Sequence, residues 1–257
     1  MKRLDSVVPW LLPALLLAFW QFSAMAGWMP RRILPAPSDV AVAAWHLSST
    51  GELWRDMGVS SLRAFWGALI GGSIGFGLGV LNGLSAGAAR LLDSSLQMLR
   101  NIPHLAMIPL VILWFGIGEE AKLFLVAVGV FFPIYLNTYH GVRTVDPGLI
   151  EMARIYGLSR RETLTEVVLP GALPSILVGV RYALGIMWLT LIVAEAISAS
   201  SGIGYMTMNA REFLQTDVVL LGILVYAALG KAADWAALWA ERRCLAWHPA
   251  FRAGAAS

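Results

Sequence analysis

Six runs of about twenty apolar residues, separated by short polar islands, leave this chain of 257 residues few ways to fold. The runs cover roughly 9–28, 62–86, 98–116, 121–140, 174–199 and 216–240, and about 20 apolar residues cross the hydrocarbon of a bilayer. In lipid every backbone amide must be satisfied inside the protein, so spans of this length are helices. Composition agrees. A soluble domain carries about 25% charged residues; here 14% are charged and 58% hydrophobic, with mean hydropathy +0.69. The expected fold is an all-α polytopic membrane protein with six transmembrane helices. The first run follows Lys2 and Arg3 and contains Ala24-Met25-Ala26, the small-residue pattern of a signal-peptide cleavage site. It is expected to stay as a first span.

Basic residues set the orientation, because cytoplasmic loops are enriched in lysine and arginine. With the N-terminus inside, eleven fall in inner segments, among them Arg143, Arg154, Arg160 and Arg161. Six fall in outer ones: Arg31, Arg32, Arg55, Arg63, Lys122 and Arg211. Both termini are therefore expected in the cytoplasm. This dispersed pattern, rather than a nucleic-acid partner, accounts for the net charge of +3. Outside, Pro30, Pro35 and Pro37 break the chain after the first span. Ser38-Asp39 is expected to cap a short helix, and the Ser49/Glu52 spacing a second one running toward span two.

Enzyme signatures are missing from the sequence. Gly230-Lys231 lacks the upstream glycine of a P-loop, so any ATP chemistry belongs to another chain. Gly71–Gly79 resembles a dinucleotide loop but follows no strand. The single Cys244 excludes an intrachain disulfide, and the four histidines show no ligand spacing. No metal and no cofactor is expected in this chain.

Three features carry mechanical meaning. Span two has glycine at every fourth position, Gly67, Gly71, Gly75, Gly79, Gly83 and Gly87, which builds a groove for close approach of another helix. Charged residues inside spans are costly and often functional. Glu195, Arg181 and, at the end of span four, Asn137 are the candidate pathway or gate residues; structural roles compete, as an ion pair or a capped helix end for Glu195 and snorkelling for Arg181. Lys231 and Asp234 are spaced to pair on span six.

The third feature is the polar island Glu151–Pro170, EMARIYGLSRRETLTEVVLP. Pro147-Gly148 is a turn signal, and Leu149–Tyr156 reads as a short helix with Ile150, Ala153 and Tyr156 near one face. Gly157 permits a sharp change of direction. Ser159 caps a second helix reaching Val168, which Pro170, Gly171 and Pro174 are expected to stop before span five.

Glu151, Ala153, Gly157, Leu158, Val167, Leu169 and Pro170 resemble the EAA cytoplasmic loop of ABC importer permeases, with Met152 departing at the middle position. The likeness extends through RNIPHLAMIPLVILWFGIGEEAK, FFPIYLNTYHGVRTVD and SGIGYMTMNAREFLQTD. From roughly Val8 to Pro249 the chain resembles the sulfonate/taurine/nitrate group, and within it most resembles the aliphatic sulfonate permeases. The resemblance implies a type I ABC importer permease in a bacterial inner membrane, working as a homodimer. Its implied partners are two ATP-binding subunits, which hold ATP and Mg²⁺, and a periplasmic solute-binding protein. It implies an N-terminal span over 1–28, a periplasmic connector over 29–60, and a transmembrane domain over 61–242. Within that domain a coupling loop covers 141–173, and a cytoplasmic tail follows at 243–257. An ion-coupled secondary transporter is the rival, but it would need intramembrane ion ligands or broken-helix repeats that the sequence does not display.

Overall fold

The computed structural model describes residues 8–28, 30 and 32–247; Lys2, Arg3, Arg31, His248 and Arg252 lie outside them. Among the described residues there are helices and no strands. They are α1 (Val8–Met25), α2 (Pro37–Ser49), α3 (Glu52–Leu84), α4 (Ala86–Arg100), α5 (Ile108–Phe115) and α6 (Glu119–Arg143). Then come α7 (Pro147–Ile155), the single turn α8 (Arg160–Glu162), α9 (Leu169–Ser198), α10 (Ile203–Glu212) and α11 (Thr216–Cys244). Four are long and apolar enough to cross a bilayer: Glu52–Leu84, Glu119–Arg143, Arg160–Ile197 and Thr216–Cys244. The first run forms the 18-residue α1.

The expected third span, 98–116, is not one helix. Ala86–Arg100 and His104–Phe115 meet at an angle of 80°. Pro103 explains the break: it donates no N–H and pushes Ile102 away from helical geometry. Two other expectations also shift. Ser49 does not open the following helix; its hydroxyl donates back to the His46 carbonyl at 2.7 Å, and Gly51 turns the chain at φ +81° before Glu52. At α2 the expected pair is half right. Asp39 accepts from the Ala36 N–H at 3.1 Å, while Ser38 is bonded to Gln21 of α1.

The chain divides into two compact units. One comprises residues 1–60 and 195–227. In it α1 is tied to the start of α2 by Trp20 Nε1, which donates to the Pro35 carbonyl at 3.1 Å. Val40 and Ala43 of α2 pack on Leu221 of α11. Trp45 and Trp54 stay exposed.

The other unit comprises residues 61–194 and 228–257. Its core is α6 held between α3 and α9: Ala64, Val126, Val130, Ile134, Ala183, Met187 and Leu191 form one buried cluster. The glycine ladder makes the α3–α6 contact. A Cβ on Gly75 would lie 2.7 Å from the Phe131 carbonyl oxygen, and one on Gly79 would lie 2.7 Å from Thr138 Cβ. On Gly67 and Gly83 it would meet Val126 and Val142 at 2.5 and 2.6 Å, and on Gly71 it would enter the Ala127 backbone. The ladder ends there, since Gly87 has only Ser85 nearby.

Candidate functional site

The loop between α6 and α9 takes its shape from short-range rules. Asp146 caps α7 by accepting from the Gly148 N–H at 2.8 Å, and Pro147 fits the first turn, where no N–H is needed. α7 buries Ala153, and its half-buried Ile150 packs against the cluster of Val142, Val145, Val168, Ala172 and Ile176. Glu151 and Gly157 are exposed; Leu158, Val167, Leu169 and Pro170 are half-buried. Tyr156 leaves the inner face because it is the C-cap, and is 77% exposed beside Ile155 at 85%. Gly157 has φ +79°, the left-handed conformation expected at this turn, and open space where a side chain would begin.

Ser159 and Glu162 form the capping box: the Ser159 N–H donates to Glu162 Oε2 at 2.7 Å, and the Glu162 N–H donates to Ser159 Oγ. The prolines do not then stop the helix, contrary to expectation. Thr163–Val168 forms a π turn that leads straight into α9, with Pro174 inside it. The wider turn absorbs the change in hydrogen-bond register where Pro170 brings no donor.

Glu195 is 1% exposed and sits at the N-terminus of α10. That helix begins at Gly202 with φ +104° and no side-chain cap of its own. Its first amides are served by other helices. The Gly202 N–H donates to Asp56 at 3.1 Å, the Ile203 N–H to Ser60 Oγ at 2.9 Å, and the Gly204 N–H to Glu195 Oε2 at 2.9 Å. Ser60 Oγ and Tyr226 OH also donate to Glu195, at 2.8 and 2.7 Å. An acidic group at a helix N-terminus satisfies orphan amides and meets the favourable end of the helix dipole. The capped-end reading fits this carboxylate. Ser60, Asp56 and Tyr226 carry no sequence signal that would have joined them to it.

Arg181 and Asn137 lie in the other unit. Arg181 Nε donates to Asp234 Oδ1 at 2.8 Å, and Lys231 Nζ donates to Oδ2 at 3.0 Å, so the expected i,i+3 pair has a third member. Arg181, Tyr182, Asp234 and Glu241 line a cavity of ≈ 450 Å³. Asn137 Nδ2 donates to the Pro133 carbonyl of its own helix, while its backbone carbonyl accepts from Ser175 Oγ of α9, both at 2.8 Å. Its Cβ faces Gly179. Sequence reading also missed a second charged group in this unit, where Arg63 and Lys122 converge on Glu119.

A family described as "Binding-protein-dependent transport system inner membrane component" matches residues 71–245. The putative aliphatic sulfonates transport permease protein SsuC of Escherichia coli (strain K12) is 60% identical over 250 residues, covering 97% of this chain and 95% of that protein. Its Bacillus subtilis (strain 168) namesake is 44% identical, covering 97% and 91%. The taurine transport system permease protein TauC of Escherichia coli (strain K12) is 36% identical, covering 91% and 87%. Among solved structures, an amino acid ABC transporter with histidines aligns with TM-score 0.63 at 17% identity, over 78% of this chain and 97% of that one. An inward-facing MetNI methionine ABC transporter aligns with TM-score 0.51 at 23% identity, over 69% and 92%. At such identities the likeness is one of fold.

Proposed function

The chain belongs to the family of binding-protein-dependent transport system inner membrane components, with the type I ABC importer permease fold, and from that premise we propose that it carries aliphatic sulfonates across the inner membrane. The observation that carries the solute class is the 60% identity, along 97% of the chain, to a permease named for aliphatic sulfonate transport.

In this reading the chain performs no bond chemistry. ATP and Mg²⁺ are handled by a separate ATPase, and two copies of the permease enclose the path. Each copy docks one ATPase through the loop 141–173, and a solute-binding protein delivers from the outside. What supports the docking role is the loop's surface. Met152, Ile155 and Tyr156 are 47%, 85% and 77% exposed beside Gly157. An exposed apolar patch rimmed by charge suits a protein partner. The basic residues support a cytoplasmic loop and cytoplasmic termini. The division into a span at 1–28, a connector at 29–60, a domain at 61–242 and a tail belongs to the same reading.

The test is uptake into right-side-out vesicles that carry the permease and its ATPase, with ATP inside and the binding protein outside. Ethanesulfonate uptake that requires ATP and all three parts is the expected result. Uptake of taurine alone would move the solute to the second reading, which the TauC similarity favours. Uptake that follows an ion gradient without ATP would sink the pump mechanism.

A further inference from the structure

The break in the third apolar run lies at membrane depth, and two contacts place it. His104 Nε2 and Thr190 Oγ1 of α9 are hydrogen-bonded at 3.0 Å, and a Cβ on Gly129 of α6 would sit 3.6 Å from the same ring nitrogen. Gly129 lies about 15 Å along α6 from Glu119, near the middle of the run 121–140. Nearer the inner end, Asp93 of α4 meets Tyr135 OH at 3.4 Å, about 24 Å along α6. So α4 climbs from the inner end of α3, and its break at Asn101–Pro103 comes close to the level of Gly129. We propose that Arg100, Asn101 and His104 at this break form an anion-binding station on a water-filled path, and that the station takes the sulfonate group of the solute in transit. This rests on the reading of the chain as a permease for anionic solutes.

Three observations lead there. First, the backbone is open. Asn101, Ile102 and Pro103 are not helical and are exposed on this chain. Irregular backbone at such depth persists only where protein covers it or water reaches it. Second, the charge has no partner. Arg100 and Asn101 are exposed, and among the described residues neither side chain has a hydrogen-bond or ion-pair partner. An arginine that faces lipid in mid-span is costly. Both headgroup layers are far from this level, so snorkelling is no remedy. A dry contact with the matching corner of a second copy would leave the charge unpaired, because residues 98–105 hold no carboxylate. Water and a passing anion answer both the open backbone and the charge. Third, the donors suit an oxyanion. A guanidinium fork, a side-chain amide and an imidazole fall within five residues. In the tautomer where His104 Nε2 accepts from Thr190, Nδ1 carries the ring proton and can donate. A sulfonate offers three acceptor oxygens, and a guanidinium binds such groups through two parallel bonds. The sequence places Arg100 among the eleven inner basic residues; at this depth it leaves ten against six, which favours the same orientation.

The test places a single cysteine at 101 in the Cys244→Ser permease, assembled with its ATPase in nanodiscs open to reagent on both sides. Two thiol reagents of similar size are compared. One is 2-sulfonatoethyl methanethiosulfonate, an anion that is itself an alkyl sulfonate; the other is its trimethylammonium counterpart, a cation. Each rate is taken relative to that with a free thiol in solution. Asn101→Cys is expected to react, and to favour the anion by about tenfold. Ethanesulfonate should slow the reaction, and uncharged ethanesulfonamide should not. Adding Arg100→Gln should abolish both the preference and the protection, whereas Arg100→Lys should keep most of the preference. Ile102→Cys supplies a second probe if Asn101→Cys fails to assemble. An assembled thiol that reacts with neither reagent would overturn the proposal, because the break would then be dry. Equal relative rates for the two reagents, or equal protection by chloride and ethanesulfonate, would overturn it too. ATP-driven uptake of ethanesulfonate by the parent is measured in parallel. Uptake without protection overturns this station and leaves the transport reading standing; absence of uptake overturns that reading instead.

Discussion

Two residues illustrate opposite kinds of constraint. Gly157 is constrained by its backbone: φ is +79°, and nothing lies within 4 Å of where a Cβ would sit. Replacing it costs about 1–2 kcal/mol of local conformational energy, with no internal clash. Gly157→Asp is expected to leave the permease inserted but to lose its ATPase and ATP-dependent uptake, because a carboxylate buried in a docking surface must give up its water. Gly157→Asn tolerates the same backbone without the charge and should keep more of both. ATPase co-purification and vesicle uptake decide it; full binding by the Asp variant would remove this loop from the docking role. Glu195 is constrained by what points at it. Its oxygens accept from Ser60, Gly204 and Tyr226. Glu195→Ala removes the acceptor these donors share, at about 1–3 kcal/mol for each buried group that finds no replacement. The variant should melt well below the parent in detergent, and below Glu195→Gln, which keeps one acceptor oxygen. Equal melting of all three would show that this carboxylate does not hold α10. The turn at Gly157 was legible because its cause is local. The partners of Glu195 were not, because residues 60, 195 and 226 meet only through the tertiary fold.

Helices record the same contrast between local and distant causes. The glycine ladder of α3 was legible as a contact surface: a four-residue step keeps small residues on one slowly turning face. Which helix would fill the groove was not, and α6 fills it. Gly75→Leu is therefore expected to lower the yield of assembled complex far more than Leu78→Ala. A side chain at 75 starts 2.7 Å from a backbone oxygen of Phe131, which cannot rotate away, whereas Leu78 is half-buried beside an apolar groove. Small-residue contacts carry helix association in lipid, where no hydrophobic drive remains. Similar yields for the two variants would contradict this. Proline shows where a local rule fails in both directions. Pro103 breaks the third apolar run at 80°, although hydropathy alone joins the two sides. Pro170 and Pro174 break nothing, because the π turn at Thr163–Val168 resets the hydrogen-bond register and lets the helix run on. Apolar periodicity specifies that a segment will be buried or spanning; it does not specify what a proline's missing donor will cost, which depends on the turn before it.

For the whole molecule the governing quantity is orientation. Exposed tryptophans mark segments suited to the membrane boundary: Trp28, Trp45 and Trp54 around the first connector, and Trp239 and Trp247 near the end of α11. The basic residues then choose which boundary is which. Eleven on the side of the loop 141–173 against six on the side of the connector favour a cytoplasmic loop. The docking role needs that orientation, since an ATPase has its ATP in the cytoplasm. One measurement tests it. Cys244 is the chain's sole cysteine and is exposed, so Cys244→Ser supplies a clean background. Arg154, Glu52 and Arg211 are exposed as well, each in a polar segment between apolar helices. In intact cells a membrane-impermeant thiol reagent should label Glu52→Cys and Arg211→Cys but not Arg154→Cys, and inverted vesicles should reverse the pattern. Labelling of Arg154→Cys in sealed, intact cells would turn the molecule over. The loop would then face away from ATP. A pump whose docking loop sits on the side opposite its motor does not work, so that result would end the coupling argument.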